Sequence, residues 1–431
     1  MRLRAPHVLT QDAADRHLLD GVVDILDGRI AWVGPAVDAP THPGLPTVHL
    51  DGALLPGFVD AHAHTPMVLL RGAGQDLPVD RWLREVIWPR EARLTADDVR
   101  WGMTLGGAEL LAGGVTTSVE MYFSPSATVA AAAEVGLRTV VLAAVLVDDA
   151  LAHLGTWEHQ LAAATRLAAA HRDDPLTEIG VGPHAAYTVP PEALRGIGEV
   201  ARAEGLLVHT HVAEGRHEGD VITAEHGVSV PRYLDDLGVL DGRALLAHGV
   251  WLDDADVALL AARGTGVAHC PASNAKHASG LAPVRALRAA GVPVAIATDG
   301  PASHDRLDLF EEMRTAIRQA RLREGDAQAL GARDALRMVT REAADALGRE
   351  DLGALEVGRR ADLQHLRLDE VAPIVAPGDV PAQLVWSGGP HLVDRVWVGG
   401  REVVRDGRVT TVDVAEARAE VTTRARRLAS A

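Results

Sequence analysis

Pro56-Gly57-Phe58-Val59-Asp60-Ala61-His62-Ala63-His64 reads as an apolar strand that ends in two imidazoles. Strand side chains alternate faces, so His62 and His64 share one face about 7 Å apart along the chain. Two neutral imidazoles on one face suit a borderline metal such as zinc. With 20 histidines in 431 residues, a lone His-x-His pair arises easily by chance. Here three further polar strand ends follow in an order that can complete a metal site: His211 with Glu214, then His248, then Asp299.

Outward from that strand, short segments rich in Val, Ala, Ile and Leu recur with helical stretches between them. They lie at Phe58–His62, Val115–Val119, Thr139–Ala143, Glu178–Gly182, Leu207–His211, Ala244–His248, Gly266–Cys270 and Val294–Thr298. The intervening segments, such as Ala255–Ala261 and Pro283–Arg288, carry helical apolar spacing. Eight such units over about 250 residues predict a (β/α)8 barrel. An open doubly wound sheet would not gather strands one, five, six and eight around one centre. In a barrel the active site lies at the carboxyl-terminal strand ends, where His62, His64, His211, His248 and Asp299 all fall.

The flanks differ in style. Residues 1–53 alternate short strands with turns, including a hairpin signal at Asp27-Gly28. The same pattern returns at Ala361–Leu366, Val396–Val398, Glu402–Val404 and Asp406-Gly407. We therefore expect residues 1–53 and 355–412 to build one small discontinuous β-sandwich. Residues 54–354 form the barrel, and 413–431 a polar carboxyl-terminal helix.

Composition narrows the function classes. Apolar residues make up 47% of the chain, yet no apolar run reaches the roughly 18 residues needed to span a bilayer. The amino terminus lacks the apolar core of a signal peptide, so a cytoplasmic protein without membrane contact is expected. A net charge of −17 argues against nucleic acid as a partner. The single cysteine, Cys270, excludes an intrachain disulfide and a cysteine zinc cluster, and reads as a small buried residue. Only one lysine is present, Lys276. Barrel hydrolases with two bridged metals commonly use a carboxylated lysine after the fourth strand. No lysine lies near that position, which favours a mononuclear site.

The run from Pro56 to Tyr122, with Leu69-Leu70-Arg71-Gly72, Trp88-Pro89-Arg90-Glu91 and Gly114-Val115-Thr116-Thr117, closely resembles the amidohydrolase superfamily. The similarity is greatest to its methylthioadenosine/S-adenosylhomocysteine deaminase and chlorotriazine hydrolase branch. His211-Val212-Ala213-Glu214, Ala247-His248-Gly249, His269–Asn274, Thr298–Ser303 and Gly358–Leu363 extend it over nearly the whole chain. The resemblance implies a distorted (β/α)8 barrel with a small β-sandwich. It also implies one divalent metal, Zn²⁺ or alternatively Fe²⁺, held by His62, His64, His211 and Asp299. His209 competes with His211, because period two turns both inward. His211 lies nearer the strand end and sets the His-x-x-Glu spacing of the family, so His209 is expected in a lower barrel layer. Glu214 then becomes the proton donor to a ring nitrogen. Asp299 accepts the proton of the attacking water, and His248 stabilises charge in the transition state.

The resemblance also implies a substrate: an aminated heterocycle that loses ammonia. Glu91 matches a carboxylate that holds ribose hydroxyls, His184 a substrate-contacting histidine, and Trp82 an aromatic over the nucleoside. These favour a 6-aminopurine nucleoside of the methylthioadenosine, 5′-deoxyadenosine or adenosine type. One departure stands out. Members that bind S-adenosylhomocysteine use arginine after the third strand, whereas residues 143–157 here contain none and offer Asp148, Asp149 and His153. Lys276-His277, His304-Asp305 and Gly215 also depart, and keep a pterin, a guanine-type base or a triazine open as alternatives. A non-catalytic scaffold conflicts with the intact ligand set. By analogy with relatives, a homo-oligomer is expected.

Overall fold

The computed structural model describes residues 1–42, 44–368 and 379–430. Eight parallel strands form the central sheet in chain order: Phe58–Ala63, Val115–Tyr122, Arg138–Val145, Thr177–Pro183, Val208–Val212, Ala244–His248, Gly266–His269 and Val294–Ile296. The sheet curls until its ends meet. Asp299 N–H donates to the His62 carbonyl at 2.9 Å, and Ala63 bridges Asp299 in parallel. The protein is a distorted (β/α)8 barrel whose seam lies beside the two imidazoles of the opening strand.

Several strands differ in length from the sequence reading. The second and third run on to Tyr122 and Val145, while the seventh and eighth stop at His269 and Ile296. The eighth is cut short by side-chain chemistry. The buried Asp60 carboxylate takes both the Thr298 amide (3.0 Å) and its hydroxyl (2.6 Å), replacing ladder bonds that Thr298 would make in a longer strand.

The barrel interior is filled by small and branched side chains, among them Val59, Ala61, Val119, Val140, Leu142, Leu245, Ala268 and Ala295. Cys270 is fully buried in the same cluster. Ala343, Ala346 and Leu347, from Arg341–Ala346 and its end, join that core from outside the strands. Gly266 permits this approach, since a Cβ there would sit 2.9 Å from that of Ala346.

Both ends of the chain enter one nine-stranded sheet. Ala53–Pro56 pairs with Leu363–Leu366 antiparallel, and Arg2–Leu9 pairs with His17–Leu26. Asp27 and Gly28 turn the next hairpin with φ of 48° and 74°, the left-handed pair that a tight two-residue loop requires. A separate core of Leu3, Val8, Val23, Ile30, Leu54, Leu363 and Trp397 lies on this sheet. Residues 369–378, which fall within the second flank of the sequence reading, lie outside the described residues, as does Ala431. Arg138 of the third barrel strand reaches into the sheet and grips Asp362 through two bonds of 2.7 and 2.9 Å. The helix Val414–Ala429 is capped by Asp413 and held to the barrel by Arg427 on Asp98 at 2.6 Å.

Between the first strand and the helix Ala96–Ala112 the chain runs through short helical pieces over the barrel mouth. Pro89 has no N–H for the Glu85 carbonyl and would press its ring against it, so the preceding turn, Leu83–Ile87, widens to π geometry. This segment forms a lid. Among the described residues, no helix is long and apolar enough to cross a membrane.

Candidate active site

Strands one, five, six and eight deliver their polar ends to one centre. Three of the residues where those strands break off have left-handed backbones without being glycine: Ala213 (φ 51°), His248 (φ 73°) and Asp299 (φ 59°). Such conformations cost of order 1–3 kcal/mol each and cluster at functional sites. Here they turn the chain sharply, so that His211, Glu214, His248 and Asp299 line one cavity of about 680 Å³ with His64. His62 is fully buried and does not line that cavity.

Hydrogen bonds fix the tautomer of each imidazole. His64 Nδ1 faces the Met121 carbonyl at 2.5 Å, and His211 Nδ1 the His184 carbonyl at 2.7 Å. A carbonyl only accepts, so both Nδ1 atoms carry the proton and both Nε2 atoms are bare. His62 is set by a relay. His209 Nδ1 donates to the Leu245 carbonyl at 2.8 Å, and its bare Nε2 accepts from His62 Nδ1 at 2.6 Å. His62 Nε2 is then bare as well, buried and without a hydrogen-bond partner. Burial pushes the His62 pKa down to about 3 and those of His209 and His211 well below their ordinary value, so all three stay neutral.

Acceptors thus face acceptors. His64 Nε2 lies 3.2 Å from His211 Nε2, and Asp299 Oδ1 lies 3.3 Å from His64 Nε2 and 3.5 Å from His62 Nε2. The hydroxyls of Ser273 and Ser303 occupy the other Asp299 oxygen at 2.6 and 2.9 Å, leaving Oδ1 for the centre. Lone pairs this close, with no proton between them, repel unless a cation joins them. Among the described residues two triads can close on such an ion: His62, His64 and Asp299, and His62, His211 and His248. The donor set of imidazoles with one carboxylate fits a divalent ion such as zinc. The one lysine is elsewhere, its Nζ on Asp305 at 2.6 Å.

Around this centre stand the remaining residues picked out by the sequence. Glu214 Oε2 is 3.8 Å from His248 Nε2, and His248 Nδ1 is held by Asn274 at 3.0 Å. His184 lines the cavity, with its Nδ1 on the Thr188 hydroxyl at 2.9 Å. Trp82 lines it from the lid; its indole N–H donates to the Ala73 carbonyl at 2.9 Å and its ring packs 4.8 Å from that of His277. Glu91 is buried in the wall and accepts from the Tyr122 hydroxyl at 2.8 Å. Burial lifts its pKa to about 7 against the opposing effect of that hydrogen bond.

Other neighbours were given no role by the sequence reading, although His277 was noted there as a departure from the family. Ser273, Asn274 and Ser303 lie inside stretches that carried the family resemblance, but only the fold reveals what they touch. Tyr122, Trp88 and His277 line the cavity without a spacing signal. Asp148, Asp149 and His153 are absent from its lining, and Asp148 instead caps a turn by accepting the Ala150 amide. The third strand contributes Ala144, followed by Leu146.

A sequence model of the amidohydrolase family matches residues 53–403. The chain belongs to the amidohydrolase family. This amidohydrolase is 38% identical over 433 residues to a 5-methylthioadenosine/S-adenosylhomocysteine deaminase of Pelotomaculum thermopropionicum, covering 98% of this chain and 97% of the relative. It is 37% identical to a 5′-deoxyadenosine deaminase of Methanopyrus kandleri, over 84% of each chain. An adenosine deaminase from Xanthomonas campestris, solved with bound zinc, superposes with a TM-score of 0.94 at 36% identity, covering 100% of this chain and 98% of that one.

Proposed function

We propose that this amidohydrolase is a metal-dependent hydrolytic deaminase of 6-aminopurine nucleosides, releasing ammonia. The observation that carries the reading is one cavity with a cation-demanding cluster of bare imidazole nitrogens at one place and a buried carboxylate, Glu91, in its wall. The names of the relatives above support it.

His62, His64, His211 and Asp299 would hold one divalent ion, with zinc the reading favoured by the donor set and by the zinc-bound neighbour. Such an ion, when bound, lowers the pKa of its water towards ~7. The chain does the rest. As water adds to the amine-bearing ring carbon, the Glu214 carboxyl gives its proton to the adjacent ring nitrogen and removes the negative charge building there. Asp299 takes one proton from the water and passes it to the departing amine, and as ammonia leaves the remaining hydroxyl proton returns to Glu214 while the carbonyl forms. His248, fixed by Asn274, stabilises charge on the adding oxygen. Glu91 accepts hydrogen bonds from the ribose hydroxyls, His184 contacts the substrate, and Trp82 covers it and keeps bulk water out.

At the far end of the nucleoside we propose a small neutral 5′ group. Among the described residues, no arginine lines the cavity, and the third strand and the residue after it offer Ala144 and Leu146 where a homocysteine carboxylate would need a cation. A charge-assisted hydrogen bond is worth roughly 1.5–3 kcal/mol, so S-adenosylhomocysteine should be the poorer substrate by about one to two orders of magnitude in kcat/KM.

Glu214→Gln tests the role assignment. The variant should keep its metal and lose about 10²–10⁴-fold in turnover. Metal loss would make Glu214 a ligand, and full turnover would remove it from catalysis.

A further inference from the structure

Glu214 borders two spaces. One is the main cavity; the other is a side cavity of about 330 Å³ lined by Asp80, Tyr187, His217 and Glu218. Its carboxyl therefore borders both, and the backbone turn that carries it sets which side it serves.

That turn is clamped. The Ala213 carbonyl receives the Val250 and Trp251 amides, both at 3.0 Å, from the loop after the sixth strand. On the other flank, Glu218 reaches back from the first turn of helix Arg216–His226, and its Oε2 accepts the Glu214 amide at 3.2 Å. Ala213 sits between these holds in a left-handed conformation that alanine adopts only under constraint. A glutamate is almost never fully buried unless it is paired. Glu218 is 4% exposed, and its Oε1 is buried with no hydrogen-bond partner. Burial, and then the nearby Glu214 charge, push its pKa up to about 8. A helix cap alone does not account for a carboxyl kept at that cost against the backbone of Glu214.

We propose that Glu218 is a positioning residue, which pins the Ala213–Glu214 turn so that the Glu214 carboxyl stays on the His248 side of the cavity. The inference rests on Glu214 being the proton donor. Displacing such a group by about 1 Å can cost on the order of 10²-fold in rate.

The test compares Glu218→Ala with Glu218→Gln on the full chain, alone and combined with Glu214→Gln, using the nucleoside the enzyme turns over fastest. Glu218→Ala should lower kcat by about 10- to 100-fold, with KM changed less than about threefold and metal content intact. Glu218→Gln keeps an oxygen that can accept the Glu214 amide and should restore kcat to within about threefold of the parent. In the Glu214→Gln background, Glu218→Ala should add almost nothing, because both changes disable one function. Undiminished kcat in Glu218→Ala, a Gln variant as impaired as the Ala variant, or a loss that tracks metal content would each overturn the proposal. Full turnover in Glu214→Gln alone would instead overturn the role of Glu214 itself, so the two failures are distinguishable.

Discussion

At the scale of single residues, the centre depends on which nitrogen of each ring holds the proton. His62 owes its bare Nε2 to His209, a buried histidine outside the lining of the main cavity that binds the Leu245 carbonyl with its other face. Partners of this kind typically contribute 10–100-fold to metal affinity. His209→Leu should therefore release the ion about 10–100 times more readily in a chelator competition, and His209→Gln, which keeps an acceptor, should do better than Leu. Glu91 gives a prediction in pH. In its proposed role the ionised carboxylate accepts ribose hydroxyls more strongly than the neutral acid would, and burial lifts its pKa to about 7. KM for a nucleoside should rise as pH falls below about 7, and the effect should vanish in Glu91→Gln. Because folding raises this pKa above 4.5, the stability linked to the group is complete below 4.5 and lost as pH rises through about 7. Period two and strand ends brought out the candidates for the proposed ligands, but preferring His211 to His209 and setting His248 apart rested on the family resemblance. His209 was visible as a competitor for the role of His211 and as a lower-layer residue, but not as a relay, since its partners His62 and Leu245 belong to the first and sixth strands.

At the scale of elements, all eight strand starts followed from apolar runs to within a residue, while the ends of the second, third and eighth strands missed by two or three. The eighth strand ends at Ile296 because the Asp60 carboxylate captures Thr298, a contact between residues 238 apart in sequence. The left-handed turns at Ala213, His248 and Asp299 carry no sequence signal either, because each occupies a conformation usually left to glycine. The lid gives meaning to residues that looked like departures from the family. Lys276 and the Gly72 amide both hold Asp305, at 2.6 and 2.9 Å, while His277 Nδ1 donates to the Leu77 carbonyl at 3.0 Å. These contacts tie the lid to the loops after the seventh and eighth strands. Asp305→Ala should leave metal content unchanged, raise KM several-fold and expose the segment near Gly72 to limited proteolysis.

At the scale of the whole molecule, the barrel and the terminal sheet are joined through a buried ion pair. Arg138 and Asp362 have side chains only 1% and 5% exposed, and Asp362 also accepts the Gly399 amide at 2.6 Å. Gly358–Leu363 was recognisable as part of a family pattern, but its purpose needed the fold: it carries the acid that locks the sheet to the third barrel strand. Asp362→Ala leaves a buried guanidinium without its partner and should cost about 3–5 kcal/mol in denaturant unfolding, with little change in the metal site of the surviving folded fraction.

The most direct measurement is ammonia release by the metal-loaded enzyme across adenosine, 5′-deoxyadenosine, methylthioadenosine, S-adenosylhomocysteine, guanine, a pterin and an aminotriazine, with metal counted per chain. The account predicts one ion per chain and highest kcat/KM on the nucleosides with small neutral 5′ groups. Preference for a ribose-free heterocycle, or two ions per chain, would contradict it.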